Sequence, residues 1–93
     1  MERELTKFQT ECEKRLTAAL AQVGRSLADR RVDGISETYI TGSVQCRDIT
    51  FWIYEDGADF KARDRHPTFE RPDYDSLDDL ADAFIQQLVE AAA

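Results

Sequence analysis

The run Ile49-Thr50-Phe51-Trp52-Ile53-Tyr54, followed at once by Glu55-Asp56-Gly57, constrains this chain more than any other feature. Consecutive β-branched and aromatic residues favour an extended strand. Alternation sends Ile49, Phe51 and Ile53 to one face and Thr50, Trp52 and Tyr54 to the other. Glu55-Asp56-Gly57 reads as a hairpin turn in which the glycine supplies a positive φ. Behind it Ala58, Phe60 and Ala62 alternate with Asp59, Lys61 and Arg63, which gives a return strand with one apolar and one wet face. A lone hairpin is marginal in water, so the rest of the chain must cover the Ile49/Phe51/Ile53 face.

Two helical stripes are available to do so. Leu5, Phe8, Cys12, Leu16, Ala19, Leu20, Val23 and Leu27 recur at steps of three and four, which predicts a helix over about residues 3–30 with Gly24 as a weak point inside it. Val32-Asp33-Gly34 then stops it. Ser76 to Asp79 matches a capping pattern, and Leu77, Leu80, Ala81, Phe84, Ile85 and Leu88 predict a second helix to about residue 90. Between them, residues 35–46 predict a strand with Tyr39, Thr41 and Ser43 on one face and Ile40, Val44 and Cys46 on the other. Gly42 marks a bulge or a close backbone approach. Residues 64–74 carry two prolines, His66, Phe69 and Tyr74 without periodicity, and read as a long loop. The expected fold is α+β in the order αβββα, a single domain over 1–93. In it a three-stranded antiparallel sheet has both helices packed on one face.

Charge is distributed unevenly. Residues 1–47 hold eight Lys/Arg and seven Asp/Glu, a net of +1, whereas residues 48–93 hold four and twelve, a net of −8. Such a field repels nucleic acid and anionic membrane and attracts cationic proteins.

Signals for catalysis are sparse. Cys12 and Cys46 with the single His66 make no zinc spacing, and both cysteines read as small reduced core residues. No G-x-S-x-G, H-E-x-x-H, C-x-x-C or phosphate-cradling glycine run is present. Thr41-Gly42-Ser43 followed by Asp48 faintly resembles the Gly-Ser turn and acidic pair of minimal nucleotidyltransferases, but the second metal-binding acid is missing, because Thr50 stands two positions after Asp48. No enzyme activity, cofactor or metal is expected. Met1-Glu2-Arg3-Glu4 leads straight into an amphipathic stripe without the apolar core of a signal peptide, and no apolar run approaches membrane-spanning length. A cytoplasmic protein is expected.

The strongest functional feature is a knot of acids. Asp73, Asp75, Asp78, Asp79 and Asp82 occur within ten residues that contain no base. Acids at a helix start favour the helix dipole, but two or three saturate that benefit, and the four-residue spacings Asp75–Asp79 and Asp78–Asp82 repel. Glu55, Asp56 and Asp59 at the hairpin form a second acidic group. Trp52 and Tyr54 on the face away from the core, and Tyr74 beside Pro72, are either covered by the loop and first helix or serve as interface anchors. These eleven residues are the candidate binding set for a basic protein partner.

The αβββα order is similar to that of double-stranded RNA-binding domains, whose second helix opens with phosphate-gripping lysines. Here the matching helix opens with aspartates, the wrong sign for RNA. In size, element order, the Ile49–Tyr54 strand with its acidic hairpin, and the acid-capped helix Ser76–Leu88, the chain resembles the small acidic α/β immunity proteins of bacterial contact-dependent inhibition and other polymorphic toxin systems. The resemblance implies a non-catalytic protein that neutralises a cognate toxin by covering its active site or substrate groove with carboxylates. That toxin would be a basic nuclease domain, bound by a monomer as a 1:1 heterodimer. A phage-encoded nucleic-acid mimic of the anti-CRISPR or anti-restriction kind would use the same acidity. A secretion chaperone would instead use an apolar surface and dimerise.

Overall fold

Local chemistry sets the ends of the first helix. Thr6 and Gln9 form a reciprocal capping box: the Gln9 amide donates to Thr6 Oγ1 at 3.1 Å and the Thr6 amide to Gln9 Oε1 at 2.9 Å. At the far end Gly24 takes φ +74°, its amide donates to the Ala21 carbonyl, and the Arg25 amide donates to the Leu20 carbonyl. That is a Schellman stop. Helix α1 is therefore Lys7–Gln22, much shorter than the 3–30 span expected. The structure, a computed structural model, describes residues 4–93, and the expected start at Arg3 lies outside the described residues.

Beyond Gly24 the apolar spacing belongs to a strand. Leu27 opens β1 (Leu27–Asp33), followed by β2 (Tyr39–Val44), β3 (Ile49–Ile53), β4 (Gly57–Ala62), β5 (Thr68–Glu70), a 3-10 turn (Arg71–Asp73) and α2 (Leu77–Ala92). The five strands pair antiparallel in sequence order. The α+β class, the two helices and the antiparallel sheet are as expected, but the sheet has five strands and not three. The added strands lie at its edges. One was hidden inside the apparent long helix, and the other in the proline-containing loop.

Register explains the core. Ile40 lies opposite Ile53, Gly42 opposite Phe51, Phe51 opposite Phe60, and Ala58 opposite Phe69, so one sheet face is a continuous apolar layer. Cys12, Leu16 and Leu20 of α1 and Leu80, Phe84, Ile85 and Leu88 of α2 bury against it. Phe60, Phe69 and Phe84 form a three-ring cluster with centroids 5.7–6.3 Å apart, worth about 0.5–1.5 kcal/mol per pair beyond area burial. Gly42 sits in a regular stretch without a bulge. A Cβ there would lie 3.1 Å from the Phe51 ring, so close approach is its role. The bulge falls in β1, where Asp29 takes φ +54° and Arg30 swings to the helix side to meet Glu13 in a two-pronged ion pair at 2.7 and 2.9 Å.

Two further expectations are corrected. Gly57 does not take a positive φ; a side chain there would crowd the Phe69 carbonyl, 3.0 Å from the built Cβ position. Cys12 is buried, but Cys46 is exposed in the β2–β3 turn at φ +64° and is not a core residue.

The helices run side by side in the same direction. Arg15 pairs with Asp82, and Arg25 Nε donates to the Ala92 carbonyl at 2.9 Å. Gln9 Nε2 donates to the carbonyls of Thr38 (2.7 Å) and Ile53 (3.2 Å), which places both helix starts at the end of the sheet carrying the Tyr54–Gly57 hairpin.

Candidate partner-binding surface

The face of the sheet away from the helices is not covered by any described element. Two rows of side chains cross it. Asp33 lies opposite Tyr39, Tyr39 beside Tyr54, Tyr54 opposite Gly57, and Gly57 opposite Glu70. The next row is Arg31, Thr41, Trp52, Asp59 and Thr68. Tyr39, Trp52 and Tyr54 are half-buried by one another and by His66, not by a helix. The Tyr39 and Tyr54 rings are 5.6 Å apart and the Trp52 and His66 rings 5.8 Å.

Asp59 is the centre of this face. Its Oδ2 contacts His66 Nε2 at 2.8 Å, and its side chain is only 14% exposed. Oδ1 is shut off from solvent and accepts no hydrogen bond among the described residues. Burial pushes the neighbouring Tyr54 phenol up to about 12, and the Asp59 carboxylate beside it pushes it the same way. Between Tyr54 and Glu70 the missing side chain of Gly57 leaves a cleft of about 460 Å³, bordered by Glu37, Asp56, Asp59, Glu70 and Arg71. Arg71 is the one cation on this border among the described residues. Its guanidinium donates to the carbonyls of Tyr74 and Asp75.

The predicted residues thus separate into two groups. Trp52, Tyr54, Asp56 and Asp59 come together on the open face; Glu55 stands beside them, accepting from the Thr38 amide at 3.1 Å. The α2 acids lie around the corner. Ser76 caps the helix by accepting from the Asp79 amide at 3.1 Å, and Asp78 and Asp79 fill its exposed first turn. Asp78 borders a separate groove with Lys7 and Arg15, and Asp82 is held by Arg15. Asp73 and Asp75 are exposed in the link to α2, whereas Tyr74 packs against the core and is an anchor of the fold.

Sequence reasoning missed Asp33, Tyr39, Glu37 and Glu70 as members of the site, and Ile35, which is fully exposed at its rim. The alternation Thr68-Phe69-Glu70 around one buried ring was the available signal for Glu70. His66, in the stretch expected to be a long loop, is exposed and joined to Asp59 and Trp52.

Acids collect at one end of the molecule. Asp33, Glu37, Glu55, Asp56, Glu70, Asp73, Asp75, Asp78 and Asp79 all sit in or beside the connections at the hairpin end. The opposite end carries Arg25, Arg47, Arg63 and Arg65 with Asp48 and Asp64. Two parallel helix starts account for about one unit of positive charge at the acidic end, far less than the acids present. Among the described residues no helix is long and apolar enough to cross a membrane. Comparisons with protein-family models, curated proteins and solved structures give no match to this chain.

Proposed function

We propose that this protein is a non-catalytic inhibitor that binds a basic protein, in the manner of an immunity protein neutralising a cognate toxin nuclease in the cytoplasm. The concentration of acidic side chains at one end, beyond what two helix starts need, is the observation that carries this reading. Carboxylates spaced along such an end match the lysines and arginines with which a nuclease holds phosphates. They speed encounter, while aromatic anchors beside them slow release. Cys12 is buried in the core, and burial pushes its thiol up to about 12, which keeps it protonated at neutral pH.

The test is a pull-down from the native host followed by co-expression with the basic nuclease domain it captures. The wild-type chain is expected to restore growth and to form a 1:1 complex whose association rate falls steeply with salt. Asp75→Asn, Asp78→Asn and Asp79→Asn together are expected to slow association about tenfold without changing the fold. Growth arrest that persists with no complex formed, or an association rate indifferent to both salt and the triple variant, refutes the reading.

A further inference from the structure

We propose that the open sheet face is where the basic partner docks, and that the cleft between Tyr54 and Glu70 takes one arginine side chain of that partner. This rests on the proposed function and specifies its site. The face is uncovered among the described residues, it carries Tyr39, Trp52 and Tyr54, and at its rim the fully exposed Ile35 lies beside Tyr39 and Tyr54. An aliphatic and aromatic patch bordered at the hairpin end by Asp33, Glu37, Asp56 and Glu70 fits a protein surface that is basic, with an anchor at its centre.

The cleft has the chemistry for a guanidinium. Glu37, Asp56, Asp59 and Glu70 border it, and the guanidinium of Arg71 is engaged by two backbone carbonyls. Asp59 is deprived of most of its water, its Oδ2 is met by His66 alone and its Oδ1 has no partner among the described residues, so a cation brought near stabilises its charge further. Tyr54 lines the cleft, with Gly57 leaving room and Glu70 paired opposite Gly57. A planar fork that stacks on a ring and pairs with carboxylates suits this arrangement better than a compact ammonium.

The test is an NMR titration of the full isotope-labelled chain with N-acetyl-arginine amide and, separately, N-acetyl-lysine amide. The arginine probe is expected to shift the amides of Gly57, Asp59, Thr68 and Glu70 and the Trp52 indole, and to bind about fivefold or more tightly than the lysine probe. Glu70→Gln, at an exposed position, and Asp59→Asn are each expected to weaken it by a similar factor; Asp78→Asn with Asp79→Asn is expected to leave it unchanged. Shifts spread evenly over the acidic end, equal binding of both probes, or indifference to Glu70→Gln and Asp59→Asn together overturn the arginine site. Toxin binding lost on changing Asp78 and Asp79 but kept in the cleft variants overturns this face while the proposed function stands. Arginine binding in the cleft without any toxin complex supports the cleft and sinks the proposed function.

Discussion

Gln9 occupies a core position where an apolar residue is the usual choice, and its amide spans two chain segments. It donates to the carbonyls of Thr38 and Ile53 and accepts from the Thr6 amide, all at the acidic end of the sheet. Leucine at this position fits the volume but leaves those groups without partners. Gln9→Leu is expected to cost about 2–4 kcal/mol in urea denaturation, and a loss below about 1 kcal/mol shows that water takes over the carbonyls. Cys12 gives a second prediction at this scale. Its thiol titrates near 12 in the folded chain against about 8.5 when unfolded, and the Tyr54 phenol near 12 against about 10. Between those values the folded chain holds protons that the unfolded chain has released. The stabilisation is therefore complete below about pH 8.5 and lost as pH climbs toward 12. Urea midpoints are expected to fall from about pH 9 upward, less steeply in Cys12→Ala; a flat profile over that range contradicts the burial of the thiol.

Among the elements, β5 depends on one side chain. Phe69 is the buried residue of Thr68–Glu70, stacked with Phe60 and edge-on to Phe84. Phe69→Ala is expected to cost about 3–5 kcal/mol and to release β5 from β4. Hydrogen exchange will show this as lost protection at the amides that pair these strands, with protection in β2 and β3 retained. That dependence also explains what could be read from the sequence. The strand β3, its partner β4 and helix α2 were legible, because alternation or helical periodicity persists in each for five residues or more. The edge strands were not. In β5 the pattern lasts three residues, and in β1 Leu27 happens to continue the three-and-four spacing of α1 past the point where Gly24 ends it. The Thr6–Gln9 capping box stood in the sequence as a start signal and fixes Lys7 as the first helical residue. The acids of α2 were visible because they are neighbours in the chain. The cleft was not, because Glu37, Asp59 and Glu70 arrive from three segments brought together by the edge strands that went unseen.

For the whole molecule, the parallel helices decide how charge acts. Their starts share the acidic end and their ends share the arginine end, where Arg25 and Arg47 both donate to the Ala92 carbonyl. Asp78 and Asp79 thus gain from the dipole of α2, about 0.3–1 kcal/mol each, and lose a similar amount to the surrounding carboxylates. Which effect wins can be measured. With nine acids facing Lys7, Arg71 and about one unit of helix charge, repulsion dominates, and salt that screens beyond about 10 Å at 0.1 M relieves it. The wild-type chain is therefore expected to gain stability as sodium chloride rises through the physiological range. Asp78→Asn with Asp79→Asn is expected to change stability by less than about 1 kcal/mol at low salt and to flatten the salt dependence. Urea denaturation at two salt concentrations, on both proteins, reads this directly. If the dipole dominates instead, salt destabilises the wild type and the double variant loses about 1–2 kcal/mol. The acids would then be explained by the helix alone, and the charge left over for a partner would be correspondingly small.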